Sequence, residues 1–230
     1  MNTITKQNYL EARSTLYGAV SALFSDPESQ KFAMLFTPKI QSCVLDACFQ
    51  LEEENREDST LSKSFQKLIA KLDISQIENI RSEFVDVFGH TLSKKIAPYA
   101  LEHLKNSDVF FLTQKLADLN GFYQAFGMEV ESIERADHIS TQTEFISFLL
   151  LKELIAQKDE LVEEKEVCEK AFYDFGHDHF SDWAKMFAEN LAEKIDGEFF
   201  KLAGIFLQGF LKSEVIYSPP FNKSENALLD

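Results

Sequence analysis

YLEARSTLYGAVSALF, residues 9–24, places Tyr9, Ala12, Leu16, Tyr17, Val20, Leu23 and Phe24 on one stripe at helical spacing. The stretch reads as a first helix over residues 6–24. The same period recurs along almost the whole chain, while strict apolar–polar alternation is nearly absent. Ser25-Asp26-Pro27 reads as a stop followed by a start, with Pro27 at a first helical position. Phe32, Leu35 and Phe36 mark a short second helix that ends near Thr37-Pro38. Ile40, Val44, Ala47, Cys48 and Leu51 mark a third, running into the acidic stretch Glu52 to Asp58, which reads as a solvated helix end and loop.

Phe65, Leu68, Ile69 and Leu72 supply a fourth helix, and Ile77, Ile80, Phe84, Val87 and Phe88 a fifth, with Gly89 as its C-cap. Residues 90–107 lose the period, contain Pro98 and read as a long loop, a kind of segment that often carries function. Val109 to Phe126 resume the helix and Gly127 closes it. After a polar connector at 128–137, a long helix carries Ile139, Phe145, Phe148, Leu149 and Leu154. Further helices hold Phe172 and Phe175, then Phe180 to Leu191, then Phe199 to Leu211. The expectation is an all-α fold, a helical bundle of about nine or ten helices. It has an N-terminal lobe (1–127), a hinge (128–137), a C-terminal lobe (138–217) and a disordered tail (218–230).

The chain has 230 residues, with 23 Lys+Arg against 38 Asp+Glu and a formal net charge of −15. A surface with a pI near 4.8 repels phosphate, which argues against nucleic acid or an anionic membrane and favours a basic peptide or protein segment. Twenty-two Phe against 6 Tyr and 1 Trp point to a Phe-rich core or groove. Apolar runs such as Phe145 to Leu151 fall far short of the ~20 residues a membrane helix needs, so no stable membrane insertion is expected. The polar stretch Met1 to Gln7 has no apolar h-region and reads as no secretory signal. Cys43, Cys48 and Cys168 are odd in number and lack CxxC spacing. They are read as small buried apolar residues in a reducing cytoplasm.

The 8 glycines are scattered singly, and no phosphate-cradling loop or GxSxG elbow is present. His177-Asp178-His179 contains good metal ligands, yet side chains two apart on a helix point away from each other. Asp178 reads instead as a helix cap flanked by two edge histidines. Asp137-His138 opens the long helix; on physical grounds Asp137 is its N-cap, and an acid/base pair is the alternative. Pro98-Tyr99, near Glu102 and His103, is either a plain turn or a place where a Tyr and a carboxylate receive a peptide that carries arginines.

In order, Phe84-x-x-x-Phe88, Pro98-Tyr99, Gly127, Glu134-x-x-Asp137-His138 and Glu144-Phe145-x-x-Phe148-Leu149 resemble the signature of the TorD/DmsD/NarJ-type chaperones. Phe175-x-x-x-His179-x-x-x-Trp183 and Phe199-Phe200 to Phe206 continue it, so the resemblance spans residues 9–212. Ala136 stands where the family usually has Pro before Asp-His. Leu101 and His103 stand where it tends to have a Ser and an aromatic.

The resemblance implies a cytoplasmic, all-helical chaperone and not an enzyme; no cofactor or metal is expected from the residues. Such a chaperone binds a molybdoenzyme precursor at its twin-arginine leader and holds it back until its molybdenum cofactor is inserted. It also implies a signal-peptide site at Asp137, His138, Pro98 and Tyr99, with Glu102 beside them. Alternatives are a metal-dependent helical enzyme using His138, His177 and His179, and a general helical adaptor for a basic partner. A monomer and a dimer that swaps C-terminal helices across the hinge are both compatible with this reading.

Overall fold

The computed structural model describes residues 3–55, 60–89, 95–104, 108–130 and 134–214. The expectations for the tail, for positions 56–58 of the acidic stretch, for 90–94 and 105–107 of the long loop and for 131–133 of the connector lie outside these residues. Within them the chain is all-α. The helices are α1 (Thr3–Leu23), α2 (Gln30–Ala33), α3 (Pro38–Asn55), α4 (Thr60–Ile69), α5 (Ile77–Phe88), α6 (Val109–Ala125), α7 (Ile139–Lys158), α8 (Val162–Phe175), α9 (Ser181–Lys194) and α10 (Glu198–Glu214). Short 3₁₀ turns lie at Met34–Phe36, Ile74–Gln76 and Ala100–His103.

The stripe of α1 sits at the centre, with Leu16, Val20 and Leu23 fully buried. It packs most extensively on α7, and also on α3; α8 lies against α7, and α10 against α9 and α4. One core therefore includes residues both before and after 128–137. Phenylalanine fills much of it. The Phe24 ring meets Phe187 at 5.3 Å, Phe88 meets Phe200 at 5.0 Å, and Phe145 meets Phe175 at 4.8 Å, mostly edge to face as ring quadrupoles favour.

Small residues let α1 and α7 approach closely. The Ser21 hydroxyl donates to the Ser140 carbonyl at 2.8 Å, and the Ser140 hydroxyl donates back to the Ser21 carbonyl at 2.8 Å. Two turns away Ser14 and Ser147 repeat the exchange at 3.0 and 2.8 Å, and Gly18 lies between them facing Ser147. These reciprocal bonds satisfy the buried hydroxyls of Ser21 and Ser140 and the half-buried ones of Ser14 and Ser147, and they set the height of α7 against α1. Arg13, one face around and 1% exposed, grips Glu214 at the end of α10 through two 2.8 Å bonds, and Tyr17 donates to the same carboxylate at 3.0 Å.

Several local readings are corrected. Ser29, not the Ser25-Pro27 triplet, starts α2, accepting the Phe32 amide at 3.1 Å; the proline at a first helical position is Pro38, opening α3. Glu52 is buried rather than solvated, because its carboxylate caps α4 by accepting the Ser62 amide at 2.9 Å. Cys43 is exposed, while Cys48 and Cys168 are buried as expected. Asp178 caps nothing: α8 runs into α9 through a π-helical turn, Gly176–Phe180, so no helix begins there.

Two glycines test the packing from opposite sides. A Cβ on Gly204 would lie 2.5 Å from the Leu191 Cβ and 2.9 Å from the Ala192 nitrogen, whereas one on Gly121 would meet nothing within 4 Å. Gly204→Ala is expected to lower stability by about 1–3 kcal/mol, since neither neighbour is a flexible side-chain end. Gly121→Ala is expected to raise it by up to ~1 kcal/mol through helix propensity alone. Urea midpoints measure both; a Gly204→Ala protein as stable as the parent would contradict the tight α9–α10 contact.

Candidate functional site

The loop that carries Pro98 and Tyr99 is held from several directions. The Lys95 and Ile96 amides donate to the Val87 carbonyl at the end of α5, at 3.1 and 3.3 Å. His103 Nε2 pairs with the Ala97 carbonyl at 2.8 Å, and its ring lies 5.6 Å from that of Trp183 on α9. The 98–100 segment then pairs with the residues that open α7. The Ala100 amide donates to the Asp137 carbonyl and the Ile139 amide to the Pro98 carbonyl, both at 2.9 Å, an antiparallel bridge with Tyr99 opposite His138. All five residues predicted from sequence thus come together: Pro98, Tyr99 and Glu102 on one strand of the bridge and its 3₁₀ turn, Asp137 and His138 on the other.

The capping roles of Asp137 and His138 differ from the expected one. Successive side chains of extended backbone point in opposite directions. His138 therefore turns toward α7 and becomes its N-cap, its Nδ1 accepting the Ser140 amide at 3.2 Å. Asp137 turns the other way and accepts the Leu101 amide at 3.1 Å, capping the 3₁₀ turn Ala100–His103, whose N-cap residue Tyr99 makes no side-chain cap bond. The reading of Asp137 as the cap of the long helix is corrected accordingly.

Asp137 is wholly buried, and a buried carboxylate needs compensation. Arg135 supplies it, with Nε 2.9 Å from Oδ1 and Nη2 2.8 Å from Oδ2. The same guanidinium lies 4.4 Å over the Tyr99 ring, and its Nη1 reaches Glu102 at 3.3 Å. Tyr123 of α6 donates to the Ala136 carbonyl at 2.6 Å, holding the connector from behind. Arg135 and Tyr123 escaped the sequence reading. Arg135 fell on an unspecified position of the Glu134-x-x-Asp137 pattern, and Tyr123 looked like one more core aromatic.

Burial, with Lys31 and Arg135 next in effect, drives His138 from its ordinary value down to about 3, so its ring is neutral and the 3.3 Å approach of Glu134 is no ion pair. Burial and the neighbouring Asp26 push the Glu134 carboxyl up, and burial and Glu134 push the Tyr99 phenol up. The site is acidic around one paired guanidinium. Its chemistry is that of a planar cation cradle: a two-oxygen fork, an aromatic face and a second carboxylate.

The histidines of the metal alternative are not gathered. His138 is a buried cap, exposed His177 pairs with Asp178 at 2.7 Å, and half-buried His179 lies against the Phe122 and Phe175 rings. Among the described residues no three His, Cys, Asp or Glu side chains are placed to hold a metal. Two clefts flank the π-helical turn. One of about 350 Å³ has Tyr17, Phe172 and Lys185 in its wall, and an open groove of about 780 Å³ is lined by Ala117, Gly121, Phe122, Ala125, Phe126 and His179. The five predicted residues line neither.

Among the described residues no helix is long and apolar enough to cross a membrane. Residues 54–189, more than half of the chain, match the family model described as "Nitrate reductase delta subunit". No curated protein matches the chain.

Depressing the pKa of His138 makes stability depend on pH with a definite sign. Below pH 6.5 the unfolded histidine binds a proton that the folded one refuses, so stability falls as pH drops through the window from 6.5 toward about 3. The slope from this group is up to about 1.4 kcal/mol per pH unit. His138→Asn, which keeps a capping oxygen, is expected to lose that slope. Glu153, raised by burial and by Glu169, contributes the opposite slope, so parent and variant are compared at each pH by urea midpoint. Parallel curves would contradict a neutral His138.

Proposed function

The chain belongs to the nitrate reductase delta subunit family, a family of molybdoenzyme maturation chaperones, and from that premise we propose that it binds the twin-arginine leader of a molybdoenzyme precursor. In this reading it works in the cytoplasm, holds the precursor back from export until the molybdenum cofactor is inserted, and catalyses no reaction of its own. Asp137, Glu102 and Tyr99 receive a leader arginine. Pro98 and His138 hold the two backbone segments that present them.

The observation that carries this reading is the cradle itself. A carboxylate fork, a second carboxylate and an aromatic face converge on a guanidinium, in a chain whose net charge of −15 attracts basic segments. A leader also has an apolar stretch. The groove along Ala117, Gly121, Phe122, Ala125 and Phe126 suits it, and α6 links groove and cradle because Tyr123, next to Phe122, reaches the Ala136 carbonyl.

Titration calorimetry with a synthetic leader tests this. Asp137→Asn combined with Glu102→Gln is expected to weaken binding about tenfold or more, each tenfold being ~1.4 kcal/mol, with helix content retained. Changing the leader's two arginines to lysines is expected to weaken it similarly. Equal affinity for both leaders, in parent and folded variant alike, would remove the proposed site.

Gly121→Leu fills the groove at a point where a side chain meets no neighbour. It is expected to weaken the full leader while leaving a short arginine peptide truncated before the apolar stretch unaffected. Loss of both, or of neither, would separate the groove from the leader.

A further inference from the structure

The cradle is already full, and its occupant belongs to the chain. Arg135 engages the features that separate a guanidinium from an ammonium: two adjacent nitrogens each on its own oxygen of Asp137, a third nitrogen toward Glu102, and a flat face over Tyr99. It comes in from the solvent side. Its side chain keeps 44% exposure, while the Asp137 carboxylate it grips has none. The backbone bonds that shape the cradle do not depend on it. Asp137 still has the Leu101 amide, and the bridge between the two segments is made by main-chain groups.

We propose that Arg135 is a displaceable internal occupant of a guanidinium site, so that a partner's arginine side chain binds by exchange with it. This rests on the reading that the site receives an arginine of the leader. Three consequences follow from the geometry. The empty chaperone never carries Asp137 as an unpaired buried charge, which would be strongly destabilising. Exchange of one guanidinium for another replaces like contacts by like, so a single stray arginine gains little. A ligand that adds other contacts, such as an apolar stretch in the groove, wins the exchange. Finally, a lysine cannot complete the exchange, because one ammonium cannot span the fork, reach Glu102 and cover the Tyr99 ring together.

The test removes the occupant and refills the site from solution. Arg135→Ala is titrated with N-ethylguanidinium and, in parallel, with ethylammonium at equal ionic strength, reading the unfolding temperature. The variant's unfolding temperature is expected to rise saturably with N-ethylguanidinium and to respond less to ethylammonium, while the parent shows no such difference. Against the twin-arginine leader, Arg135→Ala is expected to bind more tightly than the parent. The gain is about tenfold if Arg135 fills the cradle about nine-tenths of the time, because apparent affinity scales with the vacant fraction.

Should Arg135→Ala fail to fold, Arg135→Lys keeps a positive charge beside Asp137 without the fork, and the same two titrations apply to it. A variant that responds equally to both cations has no guanidinium-shaped vacancy, and the proposal is overturned. So it is if the leader binds the folded variant no better than the parent while still preferring arginine to lysine. That second result leaves the leader-binding reading standing. Guanidinium-selective refilling with no arginine preference in the leader would instead uphold the exchangeable site and reject the leader as its partner.

Discussion

The reciprocal serine bonds between α1 and α7 are the contact on which the site depends. Ser14 with Ser147 and Ser21 with Ser140 each exchange hydroxyl-to-carbonyl bonds across a seam thin enough for a glycine, Gly18. In a core with many bulky Phe and Leu side chains, this is where two backbones come close. The buried hydroxyls of Ser21 and Ser140 oppose sliding, since a shift along the axis would leave both unsatisfied. Ser140 lies in the first turn of α7, so the seam fixes where α7 begins. The Asp137-His138 bridge to the loop at 98–100 is anchored by that start.

From there the structure divides labour between neighbours. His138 and Asp137 are adjacent yet serve two different elements, one capping α7 and the other the 3₁₀ turn Ala100–His103. Both duties are structural, and the one served by Asp137 places a carboxylate beside Tyr99 and Glu102. The cost of burying Asp137 is met by Arg135, whose remaining surface organises Tyr99 and Glu102. A cradle around one planar cation, the guanidinium of Arg135, is thereby assembled from groups that the fold needs for its own integrity. Membership of the nitrate reductase delta subunit family gives that site its context, maturation of molybdenum enzymes. The surplus of acid over base gives it reach toward basic segments within about a Debye length, ~8 Å at physiological salt.

Much of this was legible beforehand. The helices were, because an amphipathic stripe is a local property, and residues such as Leu16, Val20, Phe145 and Phe206 each announce a buried face. That Pro98-Tyr99 and Asp137-His138 meet was foreshadowed by the resemblance, which keeps the two pairs in order along the chain, and Glu102 by its nearness to the first. What misled was local plausibility. Asp137, Asp178 and Pro27 all stand in patterns that suit helix starts, and Glu52 stands in an acidic run that suits solvent. Each is decided by a partner distant in sequence or by the continuity of the backbone: the Leu101 amide for Asp137, the π-helical turn for Asp178, the Ser29 hydroxyl that starts α2 in place of Pro27, and the Ser62 amide for Glu52.

Composition and periodicity by themselves determined that the chain is an acidic, phenylalanine-rich bundle of helices, because burial of a 3.6-residue stripe is written in the order of residues. Tertiary structure alone decided which carboxylate is buried, which residue caps which element, and that Arg135 fills the cradle of Asp137, Glu102 and Tyr99. Those outcomes turn on direction. Whether an Asp side chain faces its own helix or the loop beside it is set by pairing across segments that lie far apart in sequence, and no spacing within either segment contains that information.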